Sequence, residues 1–198
     1  MKPRDSAATA VEHLPDGRIK WSIVHDTLAG VTPSMIVWWL NNMDGDVEIG
    51  GTTMARYRAW HPRDHVAVTY VKKSDAGTNM GVGSKVRIQE YFARNPEHRV
   101  DVVDDVLRLD EGGFVHVHAV AGIELARMEY TFAKTPGGTR YENCLIVGMS
   151  APVIAAPFNG VVRPRLFSDE MGDAWVTHNI EEVGNLEHFL PGLFAKHA

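Results

Sequence analysis

The chain has 198 residues, carries 20 basic against 25 acidic side chains for a net charge of −5, and contains one cysteine, Cys144. That length suits one domain able to bury a core or enclose a small-molecule cavity, and an acidic balance without a basic stripe argues against nucleic-acid or anionic-membrane partners. A lone cysteine excludes an internal disulfide framework and a multi-cysteine zinc site, leaving the 10 histidines and the carboxylates as the natural metal ligands.

The first 17 residues are polar and read as a flexible N-terminal arm, followed by a single domain over 18–198. They lack the apolar core of a signal peptide, and no run approaches the roughly 18 apolar residues of a membrane span. A soluble, cytoplasmic protein is the expectation. IKWSIVHDTL has the length and β-branched content of a strand. In GVTPSMIVWWLNNMDG, Thr32 is a candidate N-cap, Pro33 suits the first helical position, and Met35, Ile36, Trp38, Trp39 and Leu40 make a short apolar helix. YRAWHPRD follows, then the alternating run HVAVTYV, the glycine-bearing loop SDAGTNMGVGS and a second alternating run, KVRIQEYF. The loop lacks the Lys and Ser/Thr of a phosphate cradle and reads as a hairpin connection.

From Arg99 to Met149 the pattern is a strand meander, with Gly-containing turns DEGG and TPGG between strand-like runs. After the Pro-broken connection APVIAAPFNGVVRPRLF, Ser168 or Asp169 starts a long helix that Pro191 is expected to end. One apolar-faced helix against a curved antiparallel sheet is an α+β arrangement with room for a cavity between the two.

Several polar side chains fall on apolar faces of these elements. On a helical wheel of about 100° per residue, Trp175, Val176, Ile180, Val183, Leu186, Phe189 and Leu190 share an arc. Glu182 lies inside that arc, and His178 lies at its edge one turn earlier, so the two can converge on one point. In KVRIQEYF, alternation puts Glu90 on the face of Val86, Ile88 and Phe92. His65 opens the preceding strand, where parity leaves its direction open, and His61 is its local rival. His116 and His118 share a face with Phe114 and Val120. Each residue alone has an ordinary explanation, as a strand-end, rim or solvated side chain. Taken together, two carboxylates and at least one imidazole on inner surfaces ask for a common compensating charge, which a divalent metal supplies.

GVTPSMIVWWL, YRAWHPRDH and HNIEE, in this order over roughly residues 27–191, resemble the 2,4-diacetylphloroglucinol hydrolases, a family related to phloretin hydrolase. The resemblance implies a helix-grip (Bet v 1/START-like) fold and a zinc-dependent hydrolase that cleaves a carbon–carbon bond in an acylated polyhydroxyaromatic ketone, releasing a carboxylic acid. It implies one Zn2+ held by His65, Glu90, His178 and Glu182, with His65 preferred to His61 because it begins the strand. Tyr57 matches a tyrosine the family places upstream of the first His. For further His and Tyr groups around the substrate the resemblance points to His118 and Tyr141, with His116 and Tyr130 as alternatives. The chain is shorter at its N-terminus than better-known members, whose extra segment bears on dimer contacts and pocket shape, so a homodimer stays open. No G-x-S-x-G elbow is present, and Cys144 has no neighbouring His, which argues against a Ser or Cys nucleophile. A hydrophobic-ligand carrier, or a polyketide cyclase, decarboxylase or lactonase using the same pocket, are the competing expectations.

Overall fold

The computed structural model describes residues 1–150 and 154–197. Six long strands form the expected meander: β6 (His65–Lys72), β7 (Lys85–Tyr91), β8 (Arg99–Asp110), β9 (Gly113–Val120), β10 (Ile123–Thr135) and β11 (Gly138–Val147). Two more, β1 (Ala7–His13) and β2 (Ile19–His25), extend the antiparallel sheet in the order β1-β2-β11-β10-β9-β8-β7-β6, and the short β3 (Leu28–Ala29) pairs with the start of β11. The chain then forms α1 (Pro33–Asn41), a small hairpin of β4 (Asp46–Ile49) and β5 (Thr52–Ala55), and α2 (Arg56–Trp60) before entering β6. Beyond β11 come short turns of helix, α3 (Ala155–Pro157), a π turn over Phe158–Val162 and α4 (Arg163–Leu166), and then α5 (Asp169–Phe194). The connection expected at 151–167 includes residues 151–153, which lie outside the described residues.

The local signals explain the helix starts. The Thr32 hydroxyl accepts the Met35 N–H and Pro33 takes the first turn of α1, while Ser168 caps α5 by accepting the Met171 N–H. α5 does not stop at Pro191 but runs on to Phe194. A proline in the last turn forfeits a single N–H bond, and its own carbonyl still accepts the Ala195 N–H, so the helix closes beyond it.

The N-terminal segment also departs from expectation. Ala7–His13 is not a loose arm but an edge strand in register with β2 from Ala7–His25 to His13–Ile19. AATAVEH is exposed at nearly every position, so no apolar alternation marks it as a strand. Backbone pairing forms it, and Lys2–Glu187 and Arg4–Asp173 ion pairs tie the residues before it to α5.

The sheet wraps α5, whose inner face buries Trp175, Val176, Ile180, Val183, Leu186 and Leu190 at 2% exposure or less. Each such side chain contributes on the order of 1.5–3 kcal/mol. At Gly172 the helix lies against the Trp21 ring of β2 so closely that a Cβ would come within 2.2 Å of it. Two apolar clusters share the core. Met171, Trp175, Val176 and Ile180 pack with Ile19, Trp21, Leu145 and Val147. Val183, Leu186, Leu190 and Leu193 pack with α1 and the residues around Leu28. His178 and Glu182 fall where these two runs of α5 meet. A curved antiparallel sheet gripping one long C-terminal helix is the helix-grip arrangement expected from the sequence.

Candidate metal centre and ligand cavity

His65 and Glu90 face each other as cross-strand partners of β6 and β7. Within that pair the register is regular from Tyr70–Val86 through Val68–Ile88, which puts even-numbered residues of β6 on the inner side with Val86, Ile88 and Glu90. An odd-numbered His65 would then point outward. A β-bulge between His65 and Ala67 leaves Val66 as the extra, exposed residue and turns His65 inward.

Inside, the four expected ligands come together from sheet and helix. His65 Nε2 lies 3.2 Å from Glu182 Oε2 and 3.5 Å from Glu90 Oε1, and His178 Nε2 lies 3.6 Å from Glu90 Oε2 and 3.8 Å from Glu182 Oε2. The tautomers follow from the other ring nitrogens. His65 Nδ1–H donates to the Tyr57 carbonyl at 2.8 Å, and His178 Nδ1–H donates to Asp64 Oδ2 at 3.0 Å. Both Nε2 lone pairs are therefore free and face the two carboxylates. Tyr57 stacks flat on His65 and donates its hydroxyl to Glu90 Oε1.

This donor set fits a divalent cation. His65 Nε2 is buried without a hydrogen-bond partner, and among the described residues Glu90 and Glu182 pair with no lysine or arginine. Burial, reinforced by the neighbouring Glu182 carboxylate, outweighs His65 and pushes Glu90 up to about 7. Burial, with Asp64 nearby, drives Glu182 well above the usual carboxylate range. Burial also lowers His65, and brings His178 down to about 3. Carboxylates that hold protons and imidazoles that refuse them are what a metal-ligand set becomes when nothing else compensates it. His65, His178 and Glu182 present ligand atoms within 4.8 Å of one another. His61, Asp64 and His178 do likewise, but His61 Nδ1 accepts the Asp64 N–H and its Nε2 bonds Glu181 at 3.0 Å. With both nitrogens occupied, His61 takes a supporting place, and His65 holds the inner position.

Glu90, His178 and Glu182 line a cavity of about 400 Å³ between sheet and helix, with His65 fully buried behind them, and the rest of the lining is mostly apolar side chains such as Leu40, Trp60, Ile88, Met128 and Trp175. Tyr57, His116, His118 and Tyr130 line it as well. Asp104 joins the two histidines: His116 Nδ1–H donates to Oδ2 at 2.7 Å, and His118 Nδ1 lies 3.3 Å from Oδ1. Burial works to raise Asp104, but the hydrogen bond from His116 and the nearby His118 imidazole, whose Nδ1 also lies 3.3 Å from the Val103 carbonyl, prevail and hold it down at about 2, while the same carboxylate raises His118. Tyr141 is not brought to the cavity. It is packed in the core against His25, Phe132 and Tyr130. Tyr130, the alternative, takes the cavity-facing position.

Two supports lie outside the expected set. Asp64 holds His178, and a buried amide chain runs to Glu182: Asn179 Nδ2–H donates to Glu182 Oε1 at 2.6 Å, Asn143 Nδ2–H to Asn179 Oδ1 at 2.6 Å, and His25 Nε2–H to Asn143 Oδ1 at 2.9 Å. Asn179 is three residues before Glu182 on α5, a spacing that could have flagged it. Asn143 and His25 come from β11 and β2 and carry no local signal.

The chain matches no family model and no curated protein. Among solved structures it is similar to a START superfamily protein from Mycobacterium smegmatis, at a TM-score of 0.53 and 9% identity over 87% of this chain and 98% of that one. It is also similar to a protein of unknown function from Staphylococcus aureus, at 0.52 and 11% identity over 90% and 96%, and to Ara h 8.0201, at 0.50 and 12% identity over 91% and 98%. At such low identity these likenesses establish the helix-grip fold and leave the chemistry to the residues of this chain.

Proposed function

We propose that the protein is a zinc-dependent hydrolase that takes an acylated polyhydroxyaromatic ketone into the helix-grip cavity and cleaves the carbon–carbon bond to its acyl group. The observation that carries this reading is the convergence of two imidazole Nε2 atoms on two carboxylates that no lysine or arginine compensates among the described residues, three of the four groups (Glu90, His178 and Glu182) lining an apolar cavity. The similarity of GVTPSMIVWWL, YRAWHPRDH and HNIEE to the diacetylphloroglucinol hydrolases supplies the reaction class.

His65, Glu90, His178 and Glu182 would hold the metal, which when bound supplies a Lewis acid for the acyl carbonyl and a water acidic enough to attack it near neutral pH. The balance is one water consumed, the ring-to-acyl bond broken, a carboxylic acid released and a proton placed on the ring carbon. Tyr57 orients Glu90 through its hydroxyl and covers one face of His65. The apolar lining excludes bulk water from the ring. His118, kept protonated to higher pH by Asp104, is the cavity group suited to deliver the ring proton.

The test pairs metal analysis of the purified protein with hydrolysis of monoacetyl- and diacetylphloroglucinol before and after chelation. One zinc per chain and chelator-sensitive acid release, with product masses that sum to substrate plus one water, are expected. Bound zinc without turnover of any acylphenol would overturn the reaction class and keep the site. The second reading is a hydrophobic-ligand carrier or a cyclase-type enzyme, which the predominantly apolar lining and the START-like fold favour. It predicts aromatic-ligand binding that survives chelation, or a product formed without added water.

A further inference from the structure

Asp64 is almost completely buried, and its carboxylate receives three donors from two parts of the chain. Oδ2 accepts His178 Nδ1–H at 3.0 Å and the Ala93 N–H at 3.1 Å, and Oδ1 accepts the Arg94 N–H at 3.2 Å. Ala93 and Arg94 both adopt left-handed backbone, with φ of 54° and 56°, although neither is glycine. Consecutive residues in that conformation are disfavoured for L-amino acids and persist only where the surroundings enforce them. Here they aim two successive N–H groups at one carboxylate, a small anion-binding concavity whose occupant is a side chain of the same protein. The backbone of Asp64 is fixed as well, since its N–H donates to His61 Nδ1 at 3.1 Å and its carbonyl accepts the Tyr91 N–H at 2.9 Å.

We infer that Asp64 is a positioning residue that fixes the Nδ1–H tautomer of His178 and aims its Nε2 at Glu90 and Glu182, with the strained Ala93–Arg94 turn clamping the carboxylate in place. The inference rests on the metal-site part of the function proposed above, and it explains why the turn after β7 is bent against its preference. Asparagine cannot replace this carboxylate. One of its two positions would carry an NH2 facing either Arg94 N–H or the paired Ala93 and His178 donors.

The experiment has two arms. In the metal-free wild-type protein, 15N-labelled histidine spectra should report His178 protonated on Nδ1. In Asp64→Asn, checked for folding by circular dichroism, the Nε2-protonated form should appear, and zinc affinity, measured by competition with a chromophoric chelator, should fall about 10–100-fold at unchanged one-to-one stoichiometry. An Asp64→Asn protein with wild-type zinc affinity and tautomer overturns the inference, as does a wild-type His178 protonated on Nε2. Should the variant fail to fold, the wild-type tautomer decides alone. A wild-type protein that binds no zinc defeats the proposed function, whereas the tautomer result still judges Asp64.

Discussion

Replacing Glu182 with glutamine should move stability and metal binding in opposite directions. Gln keeps the volume of Glu182 and can present its amide oxygen to Asn179 Nδ2–H, which now donates to Glu182 Oε1 at 2.6 Å. Its amide N–H then faces His65 Nε2, 3.2 Å from the present Oε2 and without any hydrogen-bond partner. The substitution removes a buried acid that must take up a proton on folding near neutral pH, and it keeps a permanent donor facing His65 Nε2. Relieving one such buried mismatch is worth about 1–3 kcal/mol. For a chain of this size that is a rise in Tm of about 4–8 °C for a 2 kcal/mol gain. The assay is thermal unfolding of wild type and Glu182→Gln in excess chelator, beside zinc titration of both. The variant should melt higher without metal and show no stoichiometric zinc binding. A variant that melts lower in chelator, or that takes up zinc as the wild type does, would refute the reasoning.

Glu90 gives the pH-dependent counterpart. Its folded-state pKa is raised from 4.5 to about 7, so the folded metal-free protein holds the proton more tightly than the unfolded chain, and this stability is present below pH 4.5 and lost as pH rises towards 7. The stability of Glu90→Gln relative to wild type in chelator should therefore increase by about 3 kcal/mol across that window, and a pH-independent difference from denaturant melts would contradict it. Asp104→Asn should lower the His118 pKa, read by NMR titration, and cut kcat more than it changes KM, with an unshifted His118 as the contrary result. Gly172→Ala places a Cβ within 2.2 Å of the buried Trp21 ring and should destabilise the fold by about 1–3 kcal/mol in chemical denaturation without altering zinc stoichiometry; an unchanged midpoint would show that the helix can shift.

Much of the architecture is legible in the residues because it is written in local periodicities. The period-two runs of β6 to β11, the capped start of α5 at Ser168 and the Thr32–Pro33 start of α1 each depend on a few neighbouring residues. The polar intruders on apolar faces, Glu90 and the His178–Glu182 pair, are visible for the same reason: a strand or helix shows which side chains share a face. The edge strand Ala7–His13 leaves no such trace, since its side chains are exposed and its pairing is all backbone.

Tertiary structure decided what periodicity leaves open. That His65 rather than His61 faces Glu90 and Glu182 depends on a bulge at Val66 and on Glu181 and the Asp64 N–H occupying the rival ring. Tyr130 faces the cavity whereas Tyr141, on the neighbouring strand, is packed among His25, Tyr130 and Phe132. Asp64 matters only once the turn before β6 lies against α5, and Asn143 and His25 only once β11 and β2 link them through Asn179 to Glu182. Single-chain pattern records which face a residue takes along its own element. It does not record which residue from a distant element stands opposite, because that depends on register, bulges and packing across the whole sheet, and the electrostatics of a buried site are set by those opposing groups.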